Sequence, residues 1–204
     1  MTILKMYPTS LNENYLELVT KTLKDGGTVI YPTDSLYAIG CDASNGHAVE
    51  KICRLKNVDP RRSTLSIICS DISQAAEYAR IDNKAFKILK EYLPGPFTFI
   101  LPTSPALPKV FKGRKEVGVR IPDNNIAREI ARRLESPLLT TSVEIPGDET
   151  ADARFAESIA AHYDDIAEIV IDGGEGAGTP STVVDVTDSS SPVIVRQGLG
   201  EFDQ

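Results

Sequence analysis

Apolar and polar positions along the chain repeat with two periods. Leu16, Val19 and Leu23 recur at helical spacing, and Gly26-Gly27 supply a stop, so Asn12–Lys24 is predicted to be a helix. A short apolar strand follows at Thr28–Tyr31, then a helix over Asn45–Lys56 with Ser44 or Asn45 as its cap. Leu65–Cys69 is an unbroken apolar run of the kind found in strands buried on both faces. Helices are expected near Ser73–Ala79 and Asp82–Leu93, the second with Phe86, Leu89 and Leu93 at helical spacing. Pro94-Gly95-Pro96 ends it, because proline cannot continue a helix. Phe97–Leu101 and Val117–Ile121 read as strands, with a polar, proline-bearing loop over 102–115 between them. Ile126, Ile130 and Leu134 mark a helix capped by Asp123 or Asn124. Leu138–Val143 is a strand and Asp152–Tyr163 a helix, and Ile166–Ile171, Thr182–Val186 and Pro192–Arg196 are closing strands.

Strands separated by helices imply a largely parallel or mixed sheet with helices packed on it. The closing strands follow one another without helices, which predicts an antiparallel portion. No repeat or long linker divides the chain, so residues 1–204 are read as one α/β (α+β) domain.

At 204 residues the chain can bury a large core without a covalent staple. Cys41, Cys53 and Cys69 show no CxxC spacing, and an odd number of unpaired cysteines suits a reducing compartment. The opening MTILKMYPTS has no apolar leader core and no run is long enough for a membrane span, so a cytoplasmic protein without a membrane partner is expected. The net charge of −7 disfavours non-specific binding to a polyanion. Local basic clusters at Lys109, Lys112, Arg114, Lys115 and Arg120, and at Arg61-Arg62, suit a small anionic ligand better than a long nucleic acid.

Polar clusters fall where predicted strands end, which is where α/β sheets place their sites. Pro32–Tyr37 carries three hydroxyls and a carboxylate after one strand, Thr141–Gly147 closes another, and Arg120–Asn124 ends a third. Gly173–Ser181 precedes a fourth. Each cluster alone is also ordinary turn chemistry. The glycine run permits close backbone approach to a ligand, but it has no GK[ST] and leads into a strand, so it is neither a Walker A loop nor a dinucleotide fingerprint. Lys56, Arg61, Arg62, Arg120 and Arg196 are candidate phosphate ligands. His47 and His162 are the only histidines and no zinc pattern or GxSxG elbow occurs, so no metal site is expected; His162 is expected at an exposed helix end and the cysteines in the core.

Taken together and in order, these segments resemble the YrdC/YciO family of threonylcarbamoyl-AMP synthases. GGTVIYPTDSLYAIG resembles the family's GGxVxxPTDTxYGL signature, and ICRLKN its lysine-bearing helix end. PGPFTFIL, VGVRIPDN, LLTTSV, GTPSTVVDV and VRQG resemble its PGPxT, RxP, TSAN, STVVD and RxG segments. The resemblance implies a twisted, open mixed sheet flanked by helices, with a deep, positively lined central cavity. It implies formation of threonylcarbamoyl-AMP from L-threonine, bicarbonate and ATP, with Mg²⁺ carried on the nucleotide, for N6-threonylcarbamoyladenosine in tRNA. On this resemblance Thr33, Tyr37 and Thr140 contact the amino acid, Asp34 orients the loop, and Arg120 meets the amino acid's carboxylate. Lys56, Ser142, Ser181 and Arg196 hold the nucleotide, with Arg61 and Arg62 as further phosphate ligands.

The sequence departs from the family in two places. A KxR pair is replaced by Lys56-Asn57-Val58, with arginines only at Arg61 and Arg62, and SxN becomes Ser142-Val143-Glu144. Both changes touch the nucleotide side: the first removes a cationic ligand and the second places Glu144 near the phosphates, which should weaken binding. They resemble the YciO branch, as does LSIIC-SDIS, and imply weak or altered synthase activity. Two alternatives stand beside this reading. One is a double-stranded RNA or tRNA binder using Lys109, Lys112, Arg114 and Lys115 as a basic cavity rim; the other is a nucleotide-dependent enzyme with another amino acid or a different acyl acceptor, its pocket reshaped by Ser35 in place of the family's threonine and by Val143-Glu144.

Overall fold

The apolar runs become the strands of one ten-stranded mixed sheet, in the order β1-β8-β2-β3-β7-β4-β6-β5-β9-β10. The computed structural model describes residues 1–59, 65–145 and 152–203. In chain order the elements are β1 (Thr2–Lys5), α1 (Glu13–Lys24), β2 (Val29–Tyr31), β3 (Ala38–Asp42), α2 (Gly46–Leu55) and β4 (Ser66–Ile68). Next come α3 (Ile72–Tyr78), α4 (Asn83–Tyr92), β5 (Phe97–Pro102), β6 (Glu116–Arg120), α5 (Asn125–Leu134) and β7 (Leu138–Ser142). The chain closes with α6 (Ala156–His162), β8 (Ile169–Asp172), β9 (Thr182–Asp185) and β10 (Val193–Arg196).

Helix starts follow the polar caps in the sequence. Asn12, Asn45, Asp82 and Asn124 each accept a backbone N–H from the first turn of α1, α2, α4 and α5, satisfying donors that the helix itself cannot. Successive strand residues point to opposite faces, and both faces are covered. Ile30, Ile39, Ile67, Leu139 and Val170 pack into a core shared with α2, α3, α4 and α6. Their chain neighbours Tyr31, Ala38, Ile68, Leu138 and Ile171 pack into a second core under α1 and α5. Unbroken apolar strands are therefore required at the centre of the sheet.

Several elements differ from the sequence reading. The alternation does not announce β1, an edge strand with Leu4 as its one buried residue, or β3. Gly40 interrupts β3 because a Cβ there would sit 2.8 Å from both the Leu139 carbonyl and the Tyr31 hydroxyl. The predicted 152–163 helix is shortened to α6. Asp152 instead folds a turn, accepting the Arg154 N–H and pairing with its guanidinium at 2.6 Å. Phe86 lies outward on α4, where Ala85 and Leu89 take the buried positions. The loop over 102–115 contains one 3₁₀ turn at Lys109–Phe111. The closing strands do not adjoin in series: β8 runs parallel to β1 and β2, β9 runs parallel to β5, and only β9 and β10 form an antiparallel pair. The Gly173–Ser181 segment thus carries the chain from one half of the sheet to the other.

Candidate functional site

A cavity of about 390 Å³ opens over the middle of the sheet. Its walls come from the end of α2 (Ile52, Cys53, Lys56), from Ser66 of β4, and from Thr98 and Ile100 of β5. Arg120 of β6 and Leu139–Ser142 of β7 extend the wall, with Ser181 just before β9 and Val195 and Arg196 of β10. Of the residues expected to bind ligand, Arg120, Thr140, Lys56, Ser142, Ser181 and Arg196 are brought together here. One helix end and six strands or strand ends, spread over 140 positions from Lys56 to Arg196, meet because β7, β4, β6, β5, β9 and β10 are consecutive neighbours in the sheet.

Thr33, Asp34 and Tyr37 are absent from the cavity wall, and Thr33 and Asp34 join it through Arg120. Arg120 is 4% exposed. Its Nη2 donates to Ser35 Oγ at 2.8 Å and reaches Thr33 Oγ1 and Asp34 Oδ1 at 3.5 Å. The loop between β2 and β3 is a built acceptor for this guanidinium. Thr33 Oγ1 accepts the Ser35 N–H at 3.1 Å and donates to the Leu36 carbonyl at 2.6 Å. Asp34 Oδ2 accepts the Asp123 N–H at 2.7 Å, tying the loop to the segment after β6. That is the use of two of the loop's three hydroxyls and of its carboxylate. Burial pulls the Arg120 pKa down and the Asp34 pKa up, and each charge opposes the shift of the other. Arg120 Nε is buried without a hydrogen-bond partner.

Tyr37 turns away from the cavity. Its hydroxyl donates to the Gly174 carbonyl at 2.6 Å and accepts the Gly173 N–H at 3.1 Å, and burial pushes its pKa up to about 12. The glycine segment is also held by Ala177 N–H on the Ser35 carbonyl at 3.1 Å. It therefore packs on the back of the Arg120 loop. Thr140 accepts the Tyr31 hydroxyl at 2.9 Å. Ser181 pairs its hydroxyl with Thr98 at 2.9 Å, and its carbonyl accepts from Arg196 Nη2 at 2.8 Å. A register shift between Ile194 and Arg196 marks a bulge where Val195 and Arg196 both reach the cavity wall. Lys56, the cap residue of α2, donates from Nζ to the Ser142 carbonyl at 3.3 Å and pairs with Glu144 Oε1 at 2.9 Å.

Arg61 and Arg62 lie outside the described residues. Lys109, Lys112 and Arg114 line a separate depression with Arg80, and neither they nor Lys115 lines the cavity. Cys41, Cys53 and Cys69 are buried free thiols, and His162 is exposed at the end of α6. Among the described residues no three His, Cys, Asp or Glu side chains converge as metal ligands, and no helix is long and apolar enough to cross a membrane. Thr98 and Tyr31 are not singled out by the sequence as ligand-site residues. Ser35 sits inside the loop already marked, but only the partner across 85 positions identifies it as the nearest acceptor of Arg120.

Both the sequence and the fold match known proteins. The chain belongs to the Sua5/YciO/YrdC family. The family, described as telomere recombination, matches residues 21–198. The uncharacterized protein YciO of Escherichia coli is 34% identical over 198 residues, covering 96% of this chain and 95% of that protein. Its crystal structure superposes with a TM-score of 0.88 over 98% of both chains. A putative threonylcarbamoyl-AMP synthase of Methanocaldococcus jannaschii is 33% identical, over 97% of this chain and 93% of that one. The crystal structure of Pyrococcus abyssi Sua5 complexed with L-threonine has a TM-score of 0.83 at 29% identity, over 97% of this chain and 57% of that one.

Proposed function

We propose that the cavity binds an adenine nucleotide beside L-threonine and forms threonylcarbamoyl-AMP from L-threonine, bicarbonate and ATP at a low rate, for modification of tRNA. The observation that carries this reading is Arg120, a buried guanidinium on the cavity wall with an unpartnered Nε. A cation left short of partners in a dry wall is costly to the fold and is useful once an anion arrives. A carboxylate of L-threonine is a fitting anion, and a relative has been crystallised with that amino acid.

The residues present suit the chemistry by position. Threonine carbamate attacks the α-phosphorus and pyrophosphate leaves, so the protein must align reactants and offset charge. Arg120 holds the amino acid, while Lys56 and Arg196 face the phosphates across a cavity wall whose Ser142 and Ser181 hydroxyls accept or donate as needed. Magnesium would be held largely by the phosphate oxygens of the nucleotide. Lys56 is already paired with Glu144, which lowers the positive potential available to a triphosphate and makes the rate low.

The test is incubation with MgATP, L-threonine and labelled bicarbonate, reading label in an adenylate together with pyrophosphate. Slow turnover that requires threonine is expected. Absence of labelled adenylate, with no thermal stabilisation by MgATP, overturns the reading.

A further inference from the structure

Glu144 is a surface carboxylate with an unusual degree of fixation. Its own N–H donates to the Tyr163 hydroxyl at 3.3 Å, and that same hydroxyl donates to the Glu144 carbonyl at 2.8 Å. Tyr163 is buried at 2% exposure, at the end of α6. The preceding residue, Val143, is buried and donates its N–H to the Tyr37 carbonyl at 2.8 Å. The backbone is thus held on both sides, and the side chain leans onto Lys56 at 2.9 Å. Lys56 is 20% exposed and Glu144 66%. The cation is the enclosed partner on the cavity wall, and the carboxylate comes to it from the solvent side.

We infer that Glu144 is an internal stand-in for a ligand phosphate: it occupies Lys56 and sets the cavity to favour a ligand with one phosphate, a nucleoside monophosphate or an acyl-adenylate, over a nucleoside triphosphate. This deepens the nucleotide reading of the cavity and rests on it. The charges of the cavity wall carry it. Lys56, Arg120 and Arg196 are the cations of the wall among the described residues. Glu144 is set against the first and Asp34 against the second. A single phosphate at Arg196 meets the remaining positive charge. Each further phosphate must either displace Glu144 or lie beside it, and like charges a few ångströms apart in a partly desolvated mouth repel. The same feature lets the site hold an adenylate product at least as well as the ATP from which it is made.

The experiment is calorimetric titration of the full chain with AMP, ADP and ATP, free of magnesium so that phosphate charge is not masked, for wild type, Glu144→Gln and Tyr163→Phe. Wild type is expected to bind AMP at least as tightly as ATP. Glu144→Gln keeps the shape and removes the charge, so its affinity gain grows with phosphate number. The ratio of ATP to AMP affinity should rise about tenfold, on the order expected for one unit charge acting across a few ångströms of a partly exposed site. Tyr163→Phe frees the Glu144 backbone and should shift the ratio in the same direction by less. A ratio that stays within about twofold of wild type in Glu144→Gln, while nucleotides still bind, overturns the inference and leaves the nucleotide reading standing. If no nucleotide binds any of the three proteins, both fail.

Discussion

Replacing Arg120 with methionine tests the central pair of the site. The substitution keeps a long side chain in the wall and removes the guanidinium. Ser35 and Thr33 retain each other at 3.2 Å, so the group left stranded is Asp34. Its side chain is 10% exposed and keeps the backbone N–H groups of Asp123 and of its own turn as donors. Removing one partner of a buried ion pair costs about 3–5 kcal/mol, and the remaining N–H places this case at the lower end, about 3 kcal/mol. The unpartnered Nε disappears with the arginine, returning about 1 kcal/mol. The net loss is about 2 kcal/mol, a fall in Tm of about 4–8 °C for a chain of this size. Asp34→Asn in the same background removes the stranded charge, so the double substitution should be less destabilising than the two singles summed, by about 1–2 kcal/mol.

The pH dependence follows from Asp34. Burial holds its pKa above the ordinary 3.8, so the folded chain binds this proton more tightly than the unfolded chain, and stability falls as pH rises through that interval. Loss of Arg120 raises the folded value further. The deficit of Arg120→Met is therefore largest at neutral pH and shrinks as pH falls toward the raised value. Urea unfolding followed by circular dichroism at several pH values measures both effects. An additive double substitution, within about 0.5 kcal/mol, or a deficit that grows in acid, would refute the reasoning.

Two further outcomes are expected. The Glu129 carboxylate, held by Arg132 and then Arg133, has its pKa lowered to about 2 from 4.5, so its contribution is present above pH 4.5 and is lost as pH falls toward 2. Glu129→Gln should cost about 0.5–1 kcal/mol at pH 7 in urea unfolding, and a cost that does not close in acid counts against this. Burial raises the pKa of Cys41, Cys53 and Cys69, so a disulfide reagent should modify the native chain at least about a hundredfold more slowly than the urea-unfolded chain. Cys53, on the cavity wall, should react first and be slowed by a bound nucleotide; rapid native labelling of Cys69 would contradict the packing.

Helix positions were legible because their causes are local: Asn12, Asn45, Asp82 and Asn124 cap the turns that follow them, and apolar residues recur within one helical face. Apolar runs such as Leu65–Cys69 announced strands covered on both sides, because each successive residue must find a core. Motif order carried the family, and with it most of the residues that line the cavity. Strand order was not legible. Placing β8 between β1 and β2, and β9 beside β5, depends on which apolar faces pack together, and an apolar residue carries no address. The short β3 was hidden by Gly40, whose reason is the approach of Tyr31 and Leu139 from neighbouring strands. The partners of the site's charges were decided at the same level. Arg120 meets Ser35 across 85 positions, and Lys56 meets Glu144 because α2 ends beside β7. Those pairings fix how much charge the cavity offers a ligand, since an ion's effect is set by distance and burial, which only the folded chain supplies.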